Sequence, residues 1–215
     1  SPQLYRPFLT TVKRSFLESA GHYSDLGEQR TRYAEFLAIA AVDRGDTFTA
    51  EEMRQATALL PTEGLVSSMY VLARSAEGAG QRQMEYWTNR IGPYIHDIWP
   101  KSKDLLTDEL RKALAELCVA AGAAFPAAYH DLKGWLRPVQ YPELILHRAK
   151  NQKICERFPE QALDFLDMLF ADDTDHHGPS LKECLDAIVK TKTELANDKR
   201  HSRLILLLRK RGWLE

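Results

Sequence analysis

Apolar residues recur at the helical spacing of three to four residues through nearly the whole chain, and this repeat constrains the fold more than any other feature. The clearest apolar stripes are Tyr33, Phe36, Leu37 and Ala40; Val66, Met69, Tyr70 and Ala73; Met84, Trp87, Ile91, Ile95 and Ile98; and Leu110, Leu114, Leu117, Cys118 and Ala121. Almost no segment shows the period of two that a half-buried strand requires. The sequence therefore predicts an all-α protein of about ten helices, each of roughly 12–18 residues.

Glycine and proline separate the predicted helices. Pro126, Pro142 and Pro159 suit first helical turns, where a missing amide hydrogen has no effect. Thr49 and Thr62 stand where N-caps are expected. Because short connections make consecutive helices antiparallel, we expect antiparallel helix pairs, arranged as a right-handed HEAT-like or irregular α-solenoid or as a helical bundle.

One internal echo favours a repeat. Two Phe-Pro dipeptides are each followed by apolar residues at offsets of 7, 10 and 11, namely Leu132, Trp135 and Leu136 after Phe125-Pro126, and Phe165, Met168 and Leu169 after Phe158-Pro159. The two dipeptides are 33 residues apart, which is close to the size of one helix pair in a solenoid. A third, imperfect echo begins at Gly178-Pro179. The alternative is that Phe-Pro followed by amphipathic spacing recurs by chance in a helical protein.

Length and composition indicate an ordinary globular domain. The 215 residues can bury a core, and we expect one domain over 1–215, or a helical subdomain over 1–99 with a repeat-like one over 100–215. The formal net charge of −1 produces no global attraction to nucleic acid or to an anionic membrane. Apolar runs such as Leu204–Leu208 are far shorter than the about 20 residues of a membrane span.

The cysteines predict a reducing compartment. Cys118, Cys155 and Cys184 are odd in number, and no CxxC pair occurs. This spacing supports neither a zinc ribbon nor a disulfide framework. We therefore expect reduced thiols in a cytoplasmic protein.

The densest group of potential metal ligands is Asp172-Asp-Thr-Asp-His-His-Gly178. Carboxylates and imidazoles this close together can bind a divalent metal, and an Asp-His-His triplet occurs in one class of phosphoesterases. In those enzymes the triplet follows a β-strand, whereas here it lies between predicted helices. A solvated acidic loop is the favoured interpretation, with no metal and no cofactor, and a small hydrolase built on the loop is the third hypothesis.

No catalytic motif accompanies this loop. The sequence contains no HExxH, GxSxG or P-loop pattern. Carboxylate pairs such as Glu51-Glu52 and Asp108-Glu109 stand where helices begin, and the helix dipole explains them without catalysis. We therefore expect a protein that is not an enzyme.

Residues 181–215 are basic, with nine Lys/Arg against five Asp/Glu. The cations that surround Leu204–Leu208 are Lys199, Arg200, Arg203, Arg209, Lys210 and Arg211. A basic helix can contact phosphates. Cations near a helix C-terminus are also favoured by the dipole alone, and no aromatic residue interleaves with them before Trp213. Nucleic-acid binding through these six residues is therefore the alternative hypothesis.

The four tryptophans, Trp87, Trp99, Trp135 and Trp213, mostly fall in step with helix stripes, so we expect buried anchors, with one or two exposed for binding.

Several short motifs resemble a known kind of module over about residues 80–212. They are Ile98-Trp-Pro-Lys101, Leu105, Leu114-Ala-Glu-Leu117, Phe125-Pro126, Phe158-Pro159 and the Leu204–Arg211 segment. Together they resemble the helical C-terminal regions of large multidomain bacterial proteins of the anti-phage defence type, in which an enzymatic or NTPase module lies upstream. The resemblance transfers no functional residue. It implies a sensing, docking or assembly region rather than an effector.

The leading hypothesis is a non-catalytic helical-repeat interaction or scaffold domain, a sensing or assembly module of a larger bacterial protein. Its expected partner is another protein or the upstream domains of the same polypeptide. We expect no contact with a membrane.

Overall fold

The computed structural model describes residues 11–22, 30–43, 47–100, 106–171 and 179–214, which contain helices and no strand. The helices are α1 (11–18), α2 (Arg30–Val42), α3 (Ala50–Ala58), α4 (Thr62–Gly78), α5 (Gln83–Tyr86), α6 (Gly92–Asp97), α7 (Asp108–Ala120), α8 (Phe125–Leu132), α9 (Glu143–Asn151), α10 (Ile154–Arg157), α11 (Pro159–Leu169), α12 (Pro179–Thr191) and α13 (Lys199–Lys210). The all-α prediction is confirmed. The expected length of 12–18 residues holds for α2, α4, α7, α12 and α13. It was too long for the others with described bounds, since α3, α8, α9 and α11 have 8–11 residues and α5, α6 and α10 have only four to six.

The central helix is α7, which packs against α4, α8 and α9. Every side chain from Ala113 to Ala120 is buried, together with Leu110. A helix that is covered on all sides belongs to the core rather than to an outer layer. Its start is fixed by Thr107, whose side chain accepts a hydrogen bond from the Leu110 N–H, and the predicted acids occupy its first turn.

The N-terminal layer is formed by α2 and α4, which pack closely against each other. The Ser68 hydroxyl on α4 lies within hydrogen-bond distance of two carbonyl acceptors, Gly64 on its own helix at 2.9 Å and Ala34 across this contact on α2 at 3.1 Å. The buried face of α2 consists mainly of small side chains, Ala34, Ala38 and Ala41, which permit this approach. Phe36 is 66% exposed, so its predicted place in a core stripe was wrong.

A π-helical turn, Trp87–Ile91, joins α5 to α6. Wider π-helical spacing changes the angle between successive side chains. Trp87 and Ile91 are buried as predicted, whereas Met84, one turn earlier, is 48% exposed, and the polar Gln83 lies inward instead. The prediction that Met84 belongs to the buried stripe was therefore wrong.

The C-terminal half has an aromatic core. The Phe125 ring stacks on Phe158 with centroids 6.1 Å apart and meets Phe165 edge-on at 5.6 Å. Pro126 and Pro159 lie in first helical turns, as predicted. In both halves of the echo all three apolar residues are buried or half-buried: Leu132, Trp135 and Leu136, and Phe165, Met168 and Leu169. However, α8 ends at Leu132 while α11 continues to Leu169, so the repeat stays a prediction.

A capping box starts α3. The Glu52 N–H donates to the Thr49 hydroxyl at 3.2 Å, and the Thr49 N–H donates to the Glu52 carboxylate at 2.8 Å. The predicted N-cap at Thr49 is therefore confirmed. The one at Thr62 is wrong by one position, because Pro61 is the N-cap of α4 and makes no side-chain cap bond.

Replacing Thr49 with alanine should lower the free energy of unfolding by about 1 kcal/mol, because a helix amide loses its acceptor. Urea denaturation measures this change. Thr62→Ala is the matched control and should stay within about 0.5 kcal/mol of the wild type, since Thr62 caps no helix. Equal losses in the two variants would show that the Thr49 side chain does not cap α3.

Candidate interaction surfaces

The structure divides the six basic residues of the C-terminal run into two groups. The Arg200 guanidinium donates to Asp198 and, at 3.0 Å, to Asp164 on α11. The Arg203 Nε donates to the Asp167 carboxylate at 2.7 Å, and its Nη1 donates to the Phe170 carbonyl, also at 2.7 Å. Both arginines therefore hold α13 against α11.

The Asp164 carboxylate extends this network to α8. It also accepts a hydrogen bond from the Tyr129 hydroxyl at 2.6 Å. Burial, and then the neighbouring Asp164, raise the pKa of Tyr129. Hydrogen bonds to Asp198 raise the pKa of Arg200, which stays charged. The first half of α13 is thus tied into the fold by charged hydrogen bonds.

The other group lies at the ends of α13. Lys199 is exposed at its start, Arg209 and Lys210 are exposed in its last turn, and Arg211 is half-buried at the C-cap. Within the described part of the chain, Lys199, Arg209 and Lys210 form no ion pair. The predicted phosphate-binding run is therefore interrupted by two arginines that bind carboxylates of the protein itself.

An apolar groove of about 490 Å³ lies between α1 and α2. It is lined by Val12, Lys13, Phe16, Phe36, Ile39, Ala40, Asp43, Thr47 and Phe48. The Phe16 ring is one of these lining groups, and its centroid lies 5.3 Å from that of the Tyr33 ring and 5.8 Å from that of the Phe48 ring. Lys13 and Asp43 lie among the apolar side chains, and each of them is ion-paired, with Glu52 and Arg90 respectively.

This groove exists because α2 is apolar on two faces. One face packs on α4, and the other carries Phe36, Ile39 and Ala40 at relative positions i, i+3 and i+4. Phe36 is 66% exposed and Val12 on α1 is 49% exposed. Large apolar side chains grouped at the surface mark interaction sites in soluble proteins.

A polar cleft of about 530 Å³ lies beside the C-terminal end of α2. Arg82, Glu85, Asn89 and Arg90 contribute to its lining from α5 and the turns beside it, and Ile39 and Asp43 line both this cleft and the groove. The Arg90 guanidinium bonds to the Val42 carbonyl at 3.3 Å and to the Asp43 carboxylate. The π-helical turn therefore holds the end of α2 through Arg90.

A buried ion pair joins α7 to α9. The Glu116 carboxylate is 2% exposed and lies 3.1 Å from the Arg148 Nη1. The Arg148 Nε lies 3.4 Å from the Glu77 carboxylate on α4. Burial raises the pKa of Glu116, and the charge of Arg148 opposes that shift. The Glu116 Oε1 has no hydrogen-bond partner. Glu116 is thus the buried member of this group, whereas the Arg148 and Glu77 side chains are 19% and 35% exposed.

Potential catalytic or metal-binding groups are sparse in the described segments. The His96 Nε2 lies 3.2 Å from Asp131, whose carboxylate also accepts a hydrogen bond from the Trp87 indole at 2.8 Å. No cluster of three or more potential metal ligands occurs among the described residues. Residues 172–178, the predicted acidic loop, lie outside the described residues, so the metal hypothesis for them stays a prediction. Cys118, Cys155 and Cys184 are buried thiols.

None of the helices in the described segments is both long and apolar enough to cross a membrane. Two of the tryptophans, Trp87 and Trp99, are buried as predicted. Trp135 is half-buried, and Trp213 is 49% exposed.

No family model and no solved structure matches the chain. The chain is similar to the uncharacterized protein y4cA of Sinorhizobium fredii (strain NBRC 101917 / NGR234), with 30% identity over 123 residues. The matched part covers 56% of this chain but only 10% of that relative.

Proposed function

We propose that this chain is a non-catalytic helical interaction domain, a sensing or assembly module of a larger cytoplasmic bacterial protein. Its binding site is the groove between α1 and α2, and its ligand is an amphipathic α-helix of a partner protein. The observation that carries the proposal is the open apolar face of α2, on which Phe36 is 66% exposed.

The shape of the groove favours a helix as the ligand. Phe36, Ile39, Ala40 and Asp43 follow one another at i, i+3, i+4 and i+7, so they line about two turns of α2. Val12 and Phe16 on α1 form the opposite wall. Packed helices have axes about 8–10 Å apart, and an apolar groove between two helices receives the apolar face of a third.

The charges beside the groove favour binding through its apolar centre. Lys13 pairs with Glu52 at 2.8 Å, and Asp43 pairs with Arg90. A ligand therefore need not neutralise either charge. Burying a Phe side chain contributes about 1.5–3 kcal/mol, and binding energy concentrates on such central anchors. Phe36 is the anchor that we expect to dominate.

The role as a module of a larger protein is supported by the relative, in which the matched region is a tenth of the length. The resemblance to helical regions appended to large bacterial proteins points the same way. The non-catalytic role is supported by the charged groups near the core, because Arg148, Arg200 and Arg203 are bound to carboxylates of the protein itself.

Peptide binding tests this function. The probe is a fluorescent helical peptide of about 15 residues with Leu at i, i+3, i+4 and i+7, followed by anisotropy, and a peptide of the same composition in scrambled order is its control. We expect the patterned peptide to bind, and Phe36→Glu to weaken binding at least about tenfold by placing a charge in the groove.

The matched protein control is Leu144→Glu. Leu144 is 49% exposed on α9, outside the groove, so this variant should bind the peptide as the wild type does. Equal affinity for the scrambled peptide, or unchanged binding by Phe36→Glu, would contradict the proposed site.

A further inference from the structure

The last turn of α13 presents a second surface, remote in sequence from the groove. Leu206, Arg209 and Lys210 follow one another at i, i+3 and i+4, so they share one side of α13, and Trp213 lies just beyond the last residue of the helix. Leu206 is 54% exposed and Trp213 is 49% exposed. We call these four residues the C-terminal face.

The backbone fixes the position of Trp213. Gly212 has a φ of +72°, which favours glycine. Its N–H donates to the Arg209 carbonyl at 3.0 Å, and the Trp213 N–H donates to the Leu208 carbonyl at 3.0 Å. This pair of bonds is the Schellman motif that ends many helices. The Trp213 main chain is therefore held at the end of α13, which lowers the entropy lost when its side chain binds a ligand.

The cations of the C-terminal face bind no carboxylate in the part of the chain that the structure describes. Arg209 and Lys210 form no ion pair within the described residues, in contrast to Arg203, which binds Asp167. The helix dipole favours cations at this end by about 0.3–1 kcal/mol. The dipole does not account for the exposed Leu206 and Trp213 that flank them. Aromatic and arginine side chains together are enriched in protein-binding hot spots.

We propose that the C-terminal face binds an acidic, partly apolar segment of a protein partner. Leu206 and Trp213 supply the apolar contact, and Arg209 and Lys210 pair with carboxylates of the ligand. A protein is favoured over nucleic acid because a phosphate track needs several cations in a row, and Arg200 and Arg203 are bound to carboxylates instead. This surface is additional to the groove and gives the domain a second partner.

The test uses three probes: a helical peptide of about 15 residues with Leu and Glu on one face, the same peptide with Gln for Glu, and oligo(dT). Binding is followed through the Trp213 indole N–H signal in NMR spectra, identified by its loss in Trp213→Phe. We expect the acidic peptide to bind and shift this signal, and the Gln peptide to bind at least about tenfold more weakly.

The decisive variant is Arg209→Glu/Lys210→Glu, which should weaken binding of the acidic peptide at least about tenfold. Lys133→Glu/Lys199→Glu makes the same change in net charge at exposed cations elsewhere and should leave binding nearly unchanged. Circular dichroism verifies that both double variants fold. Both should still bind the Leu-patterned groove peptide, so failure at one surface is distinguishable from failure at the other.

Three results would overturn the proposal. The first is that the acidic peptide fails to bind. The second is that both double variants lose binding of this peptide equally, because an equal loss would indicate attraction by overall charge. The third is that oligo(dT) binds more tightly than the acidic peptide and is lost only in Arg209→Glu/Lys210→Glu, which would assign the C-terminal face to nucleic acid.

Discussion

Replacing Arg148 with alanine should lower the free energy of unfolding by about 3–5 kcal/mol, because it leaves a buried charge without its partner. The Glu116 carboxylate is only 2% exposed, and Arg148 is its ion-pair partner at 3.1 Å. Urea denaturation of the two proteins measures the loss. Arg74→Ala is the matched control, since Arg74 also bonds a glutamate, Glu35 at 3.2 Å, but is 64% exposed. That variant should lose at most about 1 kcal/mol.

The loss in Arg148→Ala should depend on pH. Burial raises the pKa of Glu116 above its ordinary value, and removing Arg148 takes away a charge that lowers it. A carboxyl group whose pKa is raised by folding binds more protons when folded, so its ionisation destabilises the fold as pH rises. The loss should therefore shrink as the pH falls toward the ordinary range of glutamate. An equal loss at all pH values, or a loss no larger than in Arg74→Ala, would contradict this account.

Replacing Gly122 with alanine should lower the free energy of unfolding by about 2–5 kcal/mol, the sum of backbone strain and a lost buried hydrogen bond. Gly122 has a φ of +54°, and a Cβ there would clash with the Gln83 Oε1. That oxygen accepts a hydrogen bond from the Ala123 N–H at 2.8 Å. Because the Gln83 side chain is buried, it cannot move aside and still keep this bond. Thermal or urea unfolding measures the change.

Two other glycines separate the causes. Gly80 has a φ of +55° with nothing near its Cβ position. Gly80→Ala should therefore lower the free energy of unfolding only by the backbone strain, about 1–2 kcal/mol. Gly134 has open space and no positive φ, so Gly134→Ala should be nearly neutral. If Gly122→Ala lowered the free energy of unfolding no more than Gly80→Ala does, the contact with Gln83 would contribute nothing to the loss.

The features that could be predicted from the sequence are those that depend only on residues close together in the chain. The apolar spacing of α7 and the cap at Thr49 are local properties, and the structure confirms both. The side of α2 that packs on α4 was not predictable in this way. The small side chains on this side let α4 approach more closely than Phe36 would. Which side of α2 is buried therefore depends on the position of α4. The burial of Gln83 on α5 in place of the neighbouring Met84 likewise had no clear sequence signal.

The surfaces were harder to predict than the helices. Arg200 and Arg203 look like free cations in the sequence, but their acids, Asp164 and Asp167, are 36 residues earlier on another helix. The groove combines α1, α2 and Phe48, which only tertiary packing brings together. One usable signal was present, since α2 carries more apolar residues than a single buried face needs.

The most direct test of the central claim is an NMR map of where the Leu-patterned peptide binds the isotope-labelled protein. The account predicts that the largest amide shifts occur at the groove residues of α1 and α2 and at Phe48, with Phe36 among the most strongly affected. Phe36→Glu should abolish these shifts at the same peptide concentration. Shifts scattered over the surface, or concentrated at a site other than the groove, would contradict the claim that this face of α2 receives a partner helix.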